Sequence, residues 1–100
     1  MTTNRERYLE RVKEMVLAAL AGYEAQVFLF GSFAQGAARQ SSDIDVAIDA
    51  GEPLPAGVMA RLADDLDEST VPYTVDLVDL STVSDDFRKR VIQEGIAWRR

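Results

Sequence analysis

The run Asp43-Ile44-Asp45-Val46-Ala47-Ile48 alternates strictly between two sets of residues. A period of two is a strand signal and not a helix signal. Side chains at i and i+2 of a strand share a face, roughly 6.6 Å apart along the chain. Ile44, Val46 and Ile48 therefore face a core, while Asp43, Asp45 and Ala47 share the opposite face. A fold built on this run needs a sheet with one face buried and a second face that holds two neighbouring carboxylates. Such carboxylates repel each other in a closed site. A hard cation relieves the repulsion, and Mg²⁺ is usually held by one or two carboxylates plus substrate phosphates. Paired metal ions sit about 3.5–4 Å apart, so neighbouring carboxylates can bridge them.

The residues just upstream suit a phosphate. Val27-Phe28-Leu29-Phe30 reads as a buried strand that Gly31 ends, with Ser32 placed to cap the helix that follows. Glycine permits a sharp turn and close backbone approach. A helix start offers free N–H groups to an anion, and Ser32 adds a hydroxyl. Gly36 lets a group pass close to a short helix over Ser32–Ala38. No lysine follows, so this is not the longer Gly-Lys-Ser/Thr phosphate loop. Phosphate turn and carboxylate pair together suit a nucleoside triphosphate bound with magnesium.

Composition narrows the chemistry. The 100 residues include no cysteine and no histidine. That removes thiol catalysis, disulfides, Cys/His zinc sites and histidine acid–base work, and leaves carboxylates, hydroxyls, Lys/Arg and bound metal. The length predicts one domain over 1–100. A net charge of −6 argues against direct nucleic-acid binding by this chain and suits a basic protein partner. No apolar run approaches the roughly 20 residues of a membrane span, and the polar N-terminus is no signal peptide; the expected address is the cytoplasm.

Helices and strands alternate, which predicts an α/β fold. Leu9, Val12, Val16, Ala19 and Leu20 recur at helical steps, giving a helix over Arg5–Ala21 that Gly22 stops. Strands follow over Gln26–Phe30 and Asp43–Asp49. A helix from about Pro55 to Glu68 buries Val58, Leu62 and Leu66 and solvates Asp64, Asp65, Asp67 and Glu68. The third strand is Tyr73–Leu80. Ser84 caps a last helix that Gly95 ends, leaving Ile96-Ala97-Trp98 as a short apolar tail. Trp98 is expected to pack on its own last helix, or else to join an interface.

The third strand carries two acids, and parity separates them. Asp79 shares a face with Val75 and Leu77, whereas Asp76 shares the other face with Thr74. Asp76 can join Asp43 and Asp45 without being buried against apolar side chains. Asp79 reads as a turn residue at the strand end. Aspartate is depleted in strand interiors, so three of them beside a phosphate-type turn ask for a chemical reason.

Gly31-Ser32, then Gly36, then Ser42-Asp43-Ile44-Asp45 resembles the signature of the DNA polymerase β-type nucleotidyltransferase superfamily. Val75-Asp76-Leu77-Val78-Asp79 and Thr82 to Arg88 resemble its small branch, the minimal nucleotidyltransferase (MNT) family. The likeness covers nearly the whole chain. It implies a single-domain polymerase-β-like fold, a small mixed sheet with its helices on one side. It implies nucleotidyl transfer from ATP with Mg²⁺, two ions or Mn²⁺ in its place, on Asp43, Asp45 and Asp76. Gly31, Ser32, Gly36, Arg39 and Ser42 would lie along the nucleotide. The family's third acid falls on Asp76, which would bind the nucleophile-side metal or accept the acceptor's proton. The family works beside a helical HEPN protein, so the resemblance implies a heteromeric complex in which the chain is an antitoxin that adenylylates a HEPN toxin. Other readings stand beside it: a binding module that sequesters its partner without catalysis, the nucleotide-binding subunit of a two-chain enzyme acting on RNA or a small molecule, or a metal-binding regulatory domain. Family members often carry basic residues where this chain has Phe33 and Gln35, which leaves Arg39 as the nearest cation and implies slow turnover or a cation from the partner.

Overall fold

The computed structural model describes residues 3–36, 38 and 43–99. Among these, the chain runs α1 (Asn4–Ala19), β1 (Gln26–Phe30), α2 (Gly31–Ala34), β2 (Ile44–Asp49), α3 (Ala56–Glu68), β3 (Val75–Asp79), α4 (Asp85–Glu94) and β4 (Ile96–Arg99). The Thr3 hydroxyl accepts the Glu6 N–H at 3.1 Å, so α1 begins one residue before the expected Arg5. Ser84 caps α4 as expected, accepting the Phe87 N–H at 3.3 Å. No described helix is long and apolar enough to cross a membrane.

The sheet order is β3-β2-β1-β4. β1 pairs antiparallel with β2 and with β4, and β2 pairs parallel with β3. The parallel pair needs a crossover, and α3 supplies it. On the first face, Val27, Leu29, Ile44, Val46 and Ile48 pack with Val12 and Val16 of α1 and with Leu62 and Leu66 of α3. On the second face, Phe28 and Ala47 pack with Leu80 and with Val91 of α4. Helices therefore flank both faces, which corrects the one-sided arrangement that the resemblance implied. The reason lies in β1, whose Val27, Phe28 and Leu29 are all buried. A central strand that is apolar on both faces needs a cover on both.

The expected C-terminal tail is a fourth strand. Leu29 pairs with Ile96 and Phe28 with Ala97, followed by a register shift and a Val27–Arg99 pair. Gly95 makes the sharp exit from α4. A Cβ there would meet the Val91 carbonyl oxygen at 2.5 Å and that of Leu29 at 3.0 Å. Trp98 packs against the first-face core and not on its own helix. Arg99 donates to the carbonyl oxygens of Leu20 at 3.1 Å and Tyr23 at 2.7 Å, which ties β4 to the end of α1.

Candidate active site

Register places the acids. Asp45 stands opposite Asp76 on one side and opposite Phe30 on the other. Directly opposed residues share a face. Asp76, Asp45 and Phe30 therefore form a row across three strands on the second face. One step along that face of β2, Ala47 is fully buried under α4, while Asp76 is exposed and Asp45 half-buried. α4 thus covers the middle of the face and leaves the acid end open. Asp43, expected inside the strand, lies just before it and is exposed. Val75 and Leu77 pack into the first-face core, as their parity requires. Asp79 is the last residue of β3, and its carboxylate fastens the turn that follows: it accepts the Ser81 N–H at 2.9 Å, the Ser81 hydroxyl at 2.6 Å and the Leu54 N–H at 3.4 Å.

The charges converge on Asp45. Burial raises its carboxyl above the ordinary carboxylate value, and the negative charges of Asp76 and Asp43 raise it further. The described residues form no closed three-ligand metal cage. The donor set nevertheless suits a hard cation, because every donor is a carboxylate oxygen and the like charges at Asp45 are what such a cation would relieve.

Gly31 is held in place by two constraints. Its φ of 72° lies in the left-handed region, and a Cβ on it would collide with the Asp45 carboxylate. The phosphate-type turn and the acid row are therefore in contact. α2 is a single turn that ends at Ala34, short of the expected Ala38. Ser32 sits inside it; the cap position belongs to Phe30, and no side chain caps the turn. So short a helix has little dipole to offer an anion, which leaves the half-exposed Ser32 hydroxyl as the polar group beside Gly31. Gly36 has φ 71° and open space where a Cβ would stand, so it serves the turn and not a close approach. Arg39 and Ser42 lie outside the described residues.

The two departures at positions 33 and 35 separate. Phe33 is buried in the first-face core, edge-on to Tyr73 at 5.2 Å, with the Arg5 guanidinium 5.7 Å from its ring centroid. That position points away from the acid row. Gln35 is exposed and lines a cavity of about 240 Å³ with Phe30, Gly31, Phe87, Arg90, Val91 and Glu94. Phe30 and Phe87 meet edge to face at 5.9 Å at its floor.

One ion pair escaped the sequence reading. Arg88 donates to Asp49 Oδ2 through Nε at 3.1 Å and through a terminal nitrogen at 2.7 Å. The other oxygen of Asp49 accepts the Gly51 N–H at 3.0 Å. Asp49 shares the parity of Asp45, which was a legible sign that it lies on the second face. Its partner on α4 left no local signal.

An open acid end on a mixed sheet, set against a glycine turn, is the arrangement of a nucleotidyltransferase palm. Residues 23–97 match the family described as Polymerase beta, Nucleotidyltransferase, and the chain belongs to that family. Its fold is the polymerase-β-like nucleotidyltransferase fold. The chain is 44% identical over 63 residues to a protein of Haemophilus influenzae named probable protein adenylyltransferase MntA, covering 63% of this chain and 55% of that one. A solved minimal nucleotidyltransferase superposes with a TM-score of 0.72 and 33% identity, covering 90% of this chain and 92% of that one. The MNT antitoxin in a complex with tri-AMPylated Shewanella oneidensis HEPN toxin superposes with a TM-score of 0.61 and 26% identity, covering 89% and 70%. The chain spans about half the length of the curated relatives it matches, 55% and 49%.

Proposed function

We propose that this chain is a Mg²⁺-dependent nucleotidyltransferase that acts as the antitoxin of an MNT/HEPN pair. It transfers AMP from ATP to a helical HEPN toxin bound to it in a heteromeric complex, in the cytoplasm. The observation that carries this reading is the row of Asp45 and Asp76, with Asp43 beside it, in contact with the Gly31 turn. The relatives support it: one is named an adenylyltransferase, and another is an MNT antitoxin bound to an AMP-modified HEPN toxin. The net charge of −6 supports a protein acceptor over a nucleic acid.

The residues divide the work. Asp43 and Asp45 would hold the divalent cation, whose charge would relieve the repulsion at Asp45. Bound there, a cation supplies neutralising charge to the phosphates and lowers the pKa of the acceptor hydroxyl. Mg²⁺ and Mn²⁺ both suit oxygen donors. The Ser32 hydroxyl orients the phosphate tail over Gly31, where no Cβ blocks its approach. The acceptor oxygen bonds to the α-phosphorus, the bond bridging the α- and β-phosphates breaks, and pyrophosphate leaves. The acceptor's proton passes to Asp76 or to water, since no histidine exists to take it.

The test incubates the protein with its neighbouring HEPN partner, ATP and Mg²⁺, and follows the partner by intact mass. Mass gains in steps of one AMP are expected. In Asp43→Ala/Asp45→Ala they should fall by two orders of magnitude or more, because a metal site supplies on the order of several kcal/mol of transition-state charge stabilisation. Tight binding of the two proteins without any gain in mass would overturn the reading in favour of sequestration.

A further inference from the structure

The acid row that suits a cation also repels a polyanion. Asp43, Asp45 and Asp76 stand at one edge of the site, and beyond Gly31 a nucleotide needs positive charge of its own. Gln35, one turn along from Gly31, supplies none. The cavity that Gly31 and Gln35 line has a second wall made by α4, and that wall carries Arg90.

We infer that Arg90 holds the β- and γ-phosphates of the bound triphosphate, and that the cavity between α2 and α4 is where that tail lies. The inference rests on the nucleotidyl-transfer reading above and deepens it. Several features agree. Gly31 lines the cavity and also abuts the Asp45 carboxylate, so one residue borders both the cavity and the acid row. Phe30, Phe87 and Val91 form its apolar floor, and an apolar wall strengthens a charge pairing by excluding water. A guanidinium presents a planar fork that matches two phosphate oxygens at once. Arg90 itself is exposed on a regular helix, so it can turn toward a ligand without disturbing the core. Its neighbour on the helix, Arg88, is committed to Asp49 and points to the opposite end of the strand. Glu94 lines the same wall one turn beyond Arg90, so a phosphate there would be drawn to the Arg90 side.

The test measures dissociation constants of ATP, ADP and AMP with Mg²⁺ by titration calorimetry, for the full chain and for Arg90→Ala, with circular dichroism to confirm the fold. Arg90→Ala should weaken ATP by about ten-fold or more, ADP by less, and AMP hardly at all, as expected for one lost charge-assisted phosphate contact. Gln35→Arg in the Arg90→Ala background should restore most of the ATP affinity, since position 35 faces the same cavity. In the transfer assay, Arg90→Ala should raise the KM for ATP and leave the KM for the protein acceptor unchanged. Equal losses for ATP and AMP would overturn the inference by placing the nucleobase or sugar in the cavity. A raised KM for the acceptor alone would overturn it by placing the partner there. Unchanged ATP affinity in the variant would end it outright. Failure of the unsubstituted chain to bind ATP at all would instead remove the nucleotidyl-transfer reading, and this inference with it.

Discussion

Asp45 and Asp49 lie on the same face of the same strand, with Ala47 between them, yet their surroundings oppose each other. Asp49 is buried, held by two nitrogens of Arg88, and its second oxygen takes the Gly51 N–H. Asp45 lies at the open end, beside Asp43 and Asp76 and against a glycine that cannot carry a side chain. The contrast is set by α4, which crosses the face and brings Arg88 to one end but leaves the other without a cover. A carboxylate with a resident cation fastens the fold. A carboxylate among like charges has no such partner in the fold, and in the proposed function it takes its cation from outside.

That contrast can be broken from either end. Arg88→Ala should have the largest effect on stability. It leaves the Asp49 carboxylate buried without its partner, at a cost of about 3 kcal/mol, the low end for a broken buried pair because Arg88 is partly solvated. A double-mutant cycle with Asp49→Asn, read from denaturant midpoints, should recover much of that loss. If Arg88→Ala unfolds at the wild-type midpoint, the pair does not fasten α4 to the sheet.

Gly31→Ala should cost about 2 kcal/mol through its left-handed backbone and the displaced Asp45 carboxylate. Its effect on AMP transfer should exceed its effect on stability, because the new methyl group lands on a member of the acid row. Equal losses in both would mean that the glycine serves only the turn.

The smallest effect is the most diagnostic. In the folded chain the Asp45 carboxyl titrates above its unfolded value, so charging it weakens the fold as pH rises through that raised value. Below the ordinary carboxylate range both states are protonated, and the penalty is gone. Asp45→Asn should therefore melt higher than wild type at pH 7 in chelator, by about 2 °C given solvent screening of a half-exposed group. The gain should vanish as pH falls toward about 4. Added Mg²⁺ should raise the melting temperature of wild type more than that of the variant. A gain that grows in acid would contradict the like-charge account of the site.

Much of this was written in the local sequence. Period-two alternation determined that Ile44, Val46 and Ile48 face a core and that Asp43 and Asp45 do not. Parity, together with the family pattern, favoured Asp76 over Asp79 as the third acid, and the register of β2 with β3 sets Asp76 opposite Asp45. Gly31 announced a turn, and the missing histidine and cysteine left carboxylates, hydroxyls, Lys/Arg and bound metal as the candidate chemistry. These properties depend on residues a few positions apart, so backbone periodicity decides them.

The tertiary structure decided the rest, because those features pair residues far apart in the chain. The tail became β4 only because β1 had a free edge that could hydrogen-bond Ile96 and Ala97. Ser32 lost its capping role once α2 closed as a single turn from Gly31. Phe33 turned out to be core because Tyr73, forty residues on, packs against it. Asp49 found Arg88, and Arg90 came to line the cavity beside Gly31, through the path of α4 across the sheet. Local periodicity assigns a side chain to a face. Only the packing of distant segments assigns it a neighbour, and the neighbour determines whether a carboxylate is a fastening or a site.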